Sequence, residues 1–289
     1  MTDHGGDWLL RIGVPSKGRL SELATALLAD AGLSFRRTER NLFARCKDVP
    51  VEITFLRTED IPVLVAEGAI GLGITGGDLV AESEAEVVHR LDLGVGHCRL
   101  ALCVSDDSLI ADPRELAGRR LATSFPRVTR RWLAERGVDA HFVNLSGSVE
   151  VMITLGVADA IVDLVETGST LAANRLRIID EIGCYETVLV QDPNLARPEL
   201  ADRIVRRLEG IVIARGWSLL EYNVPRARLA EAEAITPGFK SPTVMALEDS
   251  AWCAVRAMVK RGEAHAVIER LEAIGAVAMI ETRIANCRL

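Results

Sequence analysis

Residues 159–171 read DAIVDLVETGSTL. The apolar run from Ala160 to Val165 has the length and composition of a buried strand, yet one acid, Asp163, stands in it. The run opens into Glu166-Thr167-Gly168-Ser169-Thr170, a loop made almost wholly of small hydrogen-bonding residues. A carboxylate flanked by Ile161, Val162, Leu164 and Val165 is costly unless something polar meets it. Strand, acid, loop and helix in that order suit a phosphorylated sugar, because ligands of α/β sheets sit beyond the carboxyl ends of the strands. The loop's N–H groups and the helix start can surround a phosphate. Thr167, Ser169 and Thr170 add hydroxyl donors, and Gly168 lets the main chain come close. A capped helix start, with Thr167 or Ser169 as N-cap, explains the loop equally well but leaves Asp163 without a task.

The same rhythm extends outward. LLRIGVP, VEITFLR, AIGLGIT, RLALCVS, RRLATSF and AHFVNLS read as strands. LSELATALLADAG, TEDIPVLVAEG (with Thr58 as N-cap), GGDLVAES and RVTRRWLAERG read as the helices between them. Apolar strands alternating with helices predict parallel sheets covered on both faces. Beyond the long helical stretch ending at Gly216 the order changes. The pattern predicts strand 217–225, helix 226–235, strands 241–247 and 252–259, helix 264–275 and strand 276–284. That is a βαββαβ, ferredoxin-like module.

Three further strand ends carry polar or glycine residues. GVPSKGRL brings Lys17 and Arg19 to a helix start, FLRTEDI does the same with Arg57, and GITGGDL supplies Gly76, Gly77 and Asp78. Each alone reads as solvated charge on a turn; three in one lobe read as a site. Glu150 opens the helix SVEVMITLG, where an acid favours the positive helix end and Ser146 or Ser148 serves as cap.

A net charge of −7 argues against general nucleic-acid or anionic-membrane binding. The six cysteines form no CxxC pair, no apolar run approaches a membrane span, and the N-terminus has no secretory pattern, so a cytoplasmic location is expected.

The run EVMITLGVADAIVDLVETGSTL (150–171) resembles the signature of the ATP phosphoribosyltransferase family, with Glu150, Gly156, Asp163, Thr167, Gly168, Thr170 and Leu171 in its places. VPSKGRL, FLRTEDI and GITGGDLV are similar to that family's N-terminal lobe, and AITPGFKSPTVMAL with AIGAVAMI to the regulatory domain of its long form. The resemblance implies an α/β fold of two periplasmic-binding-protein-like lobes, 1–98 with 189–216 and 99–188, followed by a regulatory domain at 217–289. It implies Mg²⁺-dependent transfer of the phosphoribosyl group of phosphoribosyl pyrophosphate to N1 of ATP. It further implies feedback inhibition by histidine and a homo-oligomer built from dimers into hexamers. On this reading Asp163 holds the ribose hydroxyls, Glu150 stands nearby, and Thr167, Gly168, Ser169 and Thr170 hold the 5-phosphate. Lys17, in a catalytic role, and Arg57 meet pyrophosphate or triphosphate, and Gly76 and Asp78 lie near the nucleotide. Histidine would meet Glu221, Asn223, Thr243 and Ala278. Glu221 and Asn223, two apart on one strand, share a face; which of them takes the ammonium stays open. A non-catalytic two-lobed binding or regulatory subunit is the alternative.

Overall fold

A computed structural model describes residues 8–37, 41–145 and 147–288; Ser146, one of the two candidate caps, lies outside them. Two compact units divide the chain, Met1–Asp202 and Arg203–Leu289.

The first unit begins with β1 (Leu10–Pro15), α1 (Gly18–Asp30), β2 (Phe43–Arg45), β3 (Val51–Leu56), α2 (Ile61–Ala66), β4 (Leu72–Gly76), α3 (Gly77–Ser83) and β5 (Val88–Asp92). The chain then enters a second sheet through β6 (Cys98–Ser105), β7 (Arg120–Thr123), α4 (Pro126–Ala134), β8 (His141–Asn144), α5 (Val151–Thr154), β9 (Ala160–Val165), α6 (Ser169–Ala173) and β10 (Leu176–Tyr185). It returns as β11 (Thr187–Gln191). The first sheet runs β2-β3-β1-β4-β11-β5 and the second β10-β6-β9-β7-β8.

Both sheets are mixed, where strand–helix alternation predicted parallel ones. β1 lies parallel to β3 and β4, but β11 runs antiparallel to β4 and β5, and β6 antiparallel to β9 and β10. The cause is topological: a chain that leaves one sheet for another and comes back re-enters against the local direction. Because Thr187 already pairs with Gly76, the return falls two residues ahead of the expected 189. β5 and β10 escaped the sequence reading because they are edge strands; β10 is half-exposed and interrupted by two register shifts, which blurs its period of two.

The second sheet has a core on each face. Leu100, Leu102, Leu121, Trp132 and Val162 fill one side, and Ala101, Cys103, Ile161, Val165 and Leu171 the other. Leu79 and Ala81 of α3, a helix of the first lobe, pack against the Trp132 side. This leaves the N-terminal turn of α3 wedged between the lobes.

The long helix α7 (Pro198–Gly216) contains the division between the units. The second unit holds β12 (Trp217–Pro225), α8 (Leu229–Ile235), β13 (Thr243–Ala246), β14 (Trp252–Lys260), α9 (Ala264–Ala273) and β15 (Val277–Arg283). Its sheet is antiparallel throughout, in the order β13-β14-β12-β15 of a ferredoxin-like fold. The helix expected from 226 begins at Leu229, after a 3₁₀ turn. Along β12 the even residues Ser218, Leu220, Tyr222 and Val224 are buried, three of them in the helix-covered core, while the odd ones are half-buried on the other face.

Candidate active site

Within the first unit a cleft of about 500 Å³ lies where the two sheets present their loops to each other. One wall comes from the second lobe: Glu150, Asp163, and Glu166 through Leu171. The other comes from the first lobe and the strands that link the two: Arg19, Leu20, Leu23, Thr58, Gly76, Asp78, Leu79, Gly96, Cys98 and Thr187.

β9 carries Asp163 to the cleft by simple alternation. Its neighbours Val162 and Leu164 point to the Trp132 core, so Asp163 points to the opposite side with Ile161 and Val165. The carboxyl is half-buried, and its Oδ1 accepts the Leu164 N–H at 2.8 Å. Burial pushes its pKa above the ordinary value; the Leu164 N–H pulls it back, and the Glu150 charge adds to the rise.

The loop after Asp163 is built for close approach. Gly168 sits at φ 79°, in the left-handed region, with nothing within 4 Å of where a Cβ would be. That turn brings the Thr167 and Ser169 hydroxyls to 3.0 Å of each other. α6 spans five residues, so donors here are hydroxyls and loop N–H groups, not a helix macrodipole.

Across the cleft Asp78 is 6% exposed. Desolvation raises its pKa, while the backbone N–H groups of Asp78 and Leu79 act against the rise. A Cβ at Gly76 would run into Asp78 Oδ1, so any side chain there would displace the carboxyl from its place in the cleft. The Cys98 thiol is pushed up to about 11, by burial first and then by Asp78, Glu166 and Cys184. It is a neutral thiol at physiological pH and no nucleophile.

Glu150, Asp163, Thr167, Gly168, Ser169, Thr170, Gly76 and Asp78 are thus brought to one cleft. Lys17 and Arg57 are exposed beside it and not on its walls. Arg19, two residues beyond Lys17, reaches the wall instead, and its Nη1 lies 3.3 Å from Glu166 of the other lobe. Thr58, next to Arg57, lines the cleft too; it is no N-cap, because the 3₁₀ turn Thr58–Asp60 starts from Arg57 and Thr58 offers its carbonyl to Thr75 Oγ1 at 3.0 Å. Gly96, Cys98 and Thr187 went unread because they lie in the links between the sheets, where no local motif marks them. Among the described residues no group of three or more His, Cys, Asp or Glu side chains is gathered around a metal position.

A family profile described as ATP phosphoribosyltransferase matches residues 57–210, and one described as the HisG C-terminal domain matches 214–286. The chain belongs to the ATP phosphoribosyltransferase family. It is 62% identical over 283 residues to the ATP phosphoribosyltransferase of Rhodopirellula baltica, covering 98% of this chain and 95% of that one. To that of Mycolicibacterium gilvum it is 42% identical, covering 97% and 100%. A solved chain of the ATP phosphoribosyl transferase (HisG:HisZ) complex from Thermotoga maritima superposes with a TM-score of 0.64 at 29% identity. That match covers 99% of the Thermotoga chain but 71% of the present one. With its C-terminal domain, this ATP phosphoribosyltransferase is of the long form, a pentosyltransferase of histidine biosynthesis. A putative L-cystine ABC transporter protein from Listeria monocytogenes shares the two-lobed fold, with a TM-score of 0.51 at 17% identity. Among the described residues no helix is long and apolar enough to cross a membrane.

In the C-terminal domain, Thr243, Arg256, Glu221 and Ile280 form one cross-strand row, and Asn223 lies two residues along on the same face. Glu221 is already engaged: Arg256 Nε donates to its Oε1 at 2.8 Å. Ala278 takes φ 51° where the β12–β15 register shifts between Glu221 and Asn223. Phe239, Met245, Val277 and Ile280 are exposed apolar residues of this domain.

Proposed function

We propose that the cleft transfers the phosphoribosyl group of phosphoribosyl pyrophosphate to N1 of ATP, releasing pyrophosphate. The observation that carries this reading is the division of the cleft. One wall joins a half-buried acid to a hydroxyl loop, which suits a ribose 5-phosphate, and the other sets Leu20, Leu23 and Leu79 beside one buried acid, Asp78, which suits a base. Asp163 accepts hydrogen bonds from ribose hydroxyls and faces the positive charge that grows on the sugar as pyrophosphate leaves. Thr167, Gly168, Ser169 and Thr170 hold the 5-phosphate, with Glu150 alongside Asp163. Catalysis then rests on positioning and fixed charges, without a covalent nucleophile. Lys17, Arg57 and Arg19 form a basic rim for phosphates, and Gly76 and Asp78 belong to the nucleotide side.

Mg²⁺ fits this site. Among the described residues, Asp78, Glu150, Asp163 and Glu166 face a single wall cation, Arg19, in a cleft that must accept two polyanions. Glu150 already disfavours the charge on Asp163. A hard cation carried in on phosphate oxygens and waters offsets that repulsion and, when bound, neutralises the departing pyrophosphate.

Histidine would bind the C-terminal domain along the Thr243–Glu221 row, with Asn223 and the Ala278 backbone as further contacts. The exposed apolar residues of that domain suit packing between copies, in dimers that assemble into hexamers.

Pyrophosphate release from ATP plus phosphoribosyl pyrophosphate with Mg²⁺, with and without histidine, is the test. Binding of either substrate without release would make the chain a non-catalytic binding subunit.

A further inference from the structure

The sheet of the first lobe has a second end. The cleft lies beyond the strand ends that lead to Arg19, Thr58 and Gly76; at the opposite ends a separate cavity of about 550 Å³ opens, and no residue lines both. Pairing across the strands builds this cavity. Arg45, Glu52 and Arg11 stand in register on β2, β3 and β1. Backbone hydrogen bonds continue the row: the Gly71 N–H donates to the Arg11 carbonyl at 3.0 Å, and the Asp192 N–H to the Gly71 carbonyl at 3.1 Å. Side chains in one cross-strand row share a face. Leu10 and Leu195 fill the space where Gly71 would carry a Cβ, so an apolar floor lies between Arg11 and Asp192.

The charges at the two ends of the row are only partly used. Asp192 is 7% exposed, and its Oδ1 accepts the Asn194 N–H at 2.7 Å. Among the described residues no cation pairs with it. A buried carboxylate with an oxygen left over calls for a donor. At the other end Arg11 and Arg45 both lean on Glu52, each through Nε, at 3.4 and 3.6 Å. Among the described residues no hydrogen bond engages their terminal amino groups. Such groups suit a carboxylate, which they can take with two parallel bonds.

We infer that this cavity binds a free α-amino acid with an apolar side chain, its ammonium on Asp192 and its carboxylate on Arg11 and Arg45. A simple anion would face the carboxylate of Asp192, and a simple cation would face the guanidiniums; a zwitterion answers both. The row itself is neutral, with Arg11 and Arg45 set against Glu52 and Asp192, so a ligand of no net charge leaves it balanced. Trp8, Leu10 and Leu195 give the ligand's side chain an apolar wall. This site is separate from the cleft and from the cross-strand row of the C-terminal domain.

The test titrates L-phenylalanine and L-leucine calorimetrically into the full-length protein. Phenethylamine and 3-phenylpropionate, each lacking one of the two charges, are run beside them. Wild type should bind L-phenylalanine saturably, and the amine and the acid about tenfold or more weakly, the worth of one charge-assisted contact. Asp192→Asn should weaken L-phenylalanine by about tenfold or more, and so should Arg11→Gln combined with Arg45→Gln. Pyrophosphate release without added amino acid should be unchanged in the arginine double variant. No saturable binding of either amino acid to wild type overturns the inference. Equal binding of the amine or the acid overturns it too, as does full affinity in the folded variants. Should Asp192→Asn fail to fold, the double variant decides, because both arginines are exposed.

Discussion

Glu82 of the first lobe caps a helix of the second. Its Oε1 and Oε2 accept the Arg127 N–H at 3.0 and 3.1 Å, and Oε2 also takes the Val128 N–H at 3.0 Å. The Arg127 guanidinium returns the contact, donating to the Ser83 carbonyl at 2.9 Å at the end of α3. α4 has no side-chain cap of its own, since its N-cap is Phe125 and Pro126 follows. Two short helices therefore complete each other's ends across the lobes, and α3, which carries Asp78, is held at its other terminus by the Gly77 N–H donating to the Glu186 carbonyl at 2.8 Å.

Replacing Glu82 with Ala should lower stability by roughly 1–2 kcal/mol, the usual worth of a helix cap. Urea denaturation checks this. An unchanged midpoint would mean that water serves α4 equally well.

Asp163→Asn should separate activity from stability. The lost charge-assisted contact is worth roughly 1.5–3 kcal/mol, about a tenfold to hundredfold fall in kcat/KM. Stability should move the other way. Because the folded-state pKa is raised, the folded protein binds more protons than the unfolded chain between the two values, and stability drops as pH rises through that window. Above that window the whole deficit is present, and Asn removes it. Urea midpoints at pH 7 should be equal or higher in the variant. A folded variant with unchanged turnover and phosphoribosyl pyrophosphate affinity would take Asp163 out of the site.

Gly168→Ala tests the loop. No atom blocks the added methyl, so the cost is purely the left-handed backbone, about 1–2 kcal/mol. The loop can escape it only by changing φ, which parts the Thr167 and Ser169 hydroxyls. Weaker phosphoribosyl pyrophosphate binding with ATP binding unaltered is expected in calorimetry. Equal loss of both ligands would point to general unfolding of the lobe.

In the C-terminal domain the Arg256 guanidinium competes with any ammonium for Glu221. Glu221→Gln should weaken histidine inhibition several-fold if Glu221 is the ammonium's partner. Asn223→Asp should strengthen inhibition, because it supplies a carboxylate not tied to Arg256. Inhibition curves at fixed substrate read both; if neither moves while uninhibited activity stays normal, histidine is held elsewhere.

What the chain determined by itself was whatever its local periodicity encodes. Residues 160–171 announce strand, acid and loop, because a continuous apolar run covered on both faces is broken by the single acid Asp163 and followed by small hydrogen-bonding residues around Gly168 at positive φ. The βαββαβ order after Trp217 was legible because β12 and β14 alternate in burial every second residue along their length. Contacts between distant segments were not legible. Arg19 meeting Glu166, Glu82 capping α4 and Arg256 occupying Glu221 join residues 35 to 147 positions apart, and no local pattern records such partners. The antiparallel return of β11 follows from the chain's second crossing between sheets, which strand composition does not reveal. Lys17 and Arg57 left the walls while Arg19 and Thr58 took places there, because a helix start sets side-chain direction only once its sheet is assembled. The raised pKa of Asp78 is likewise tertiary: the sequence contains the acid, but packing between the lobes removes its water.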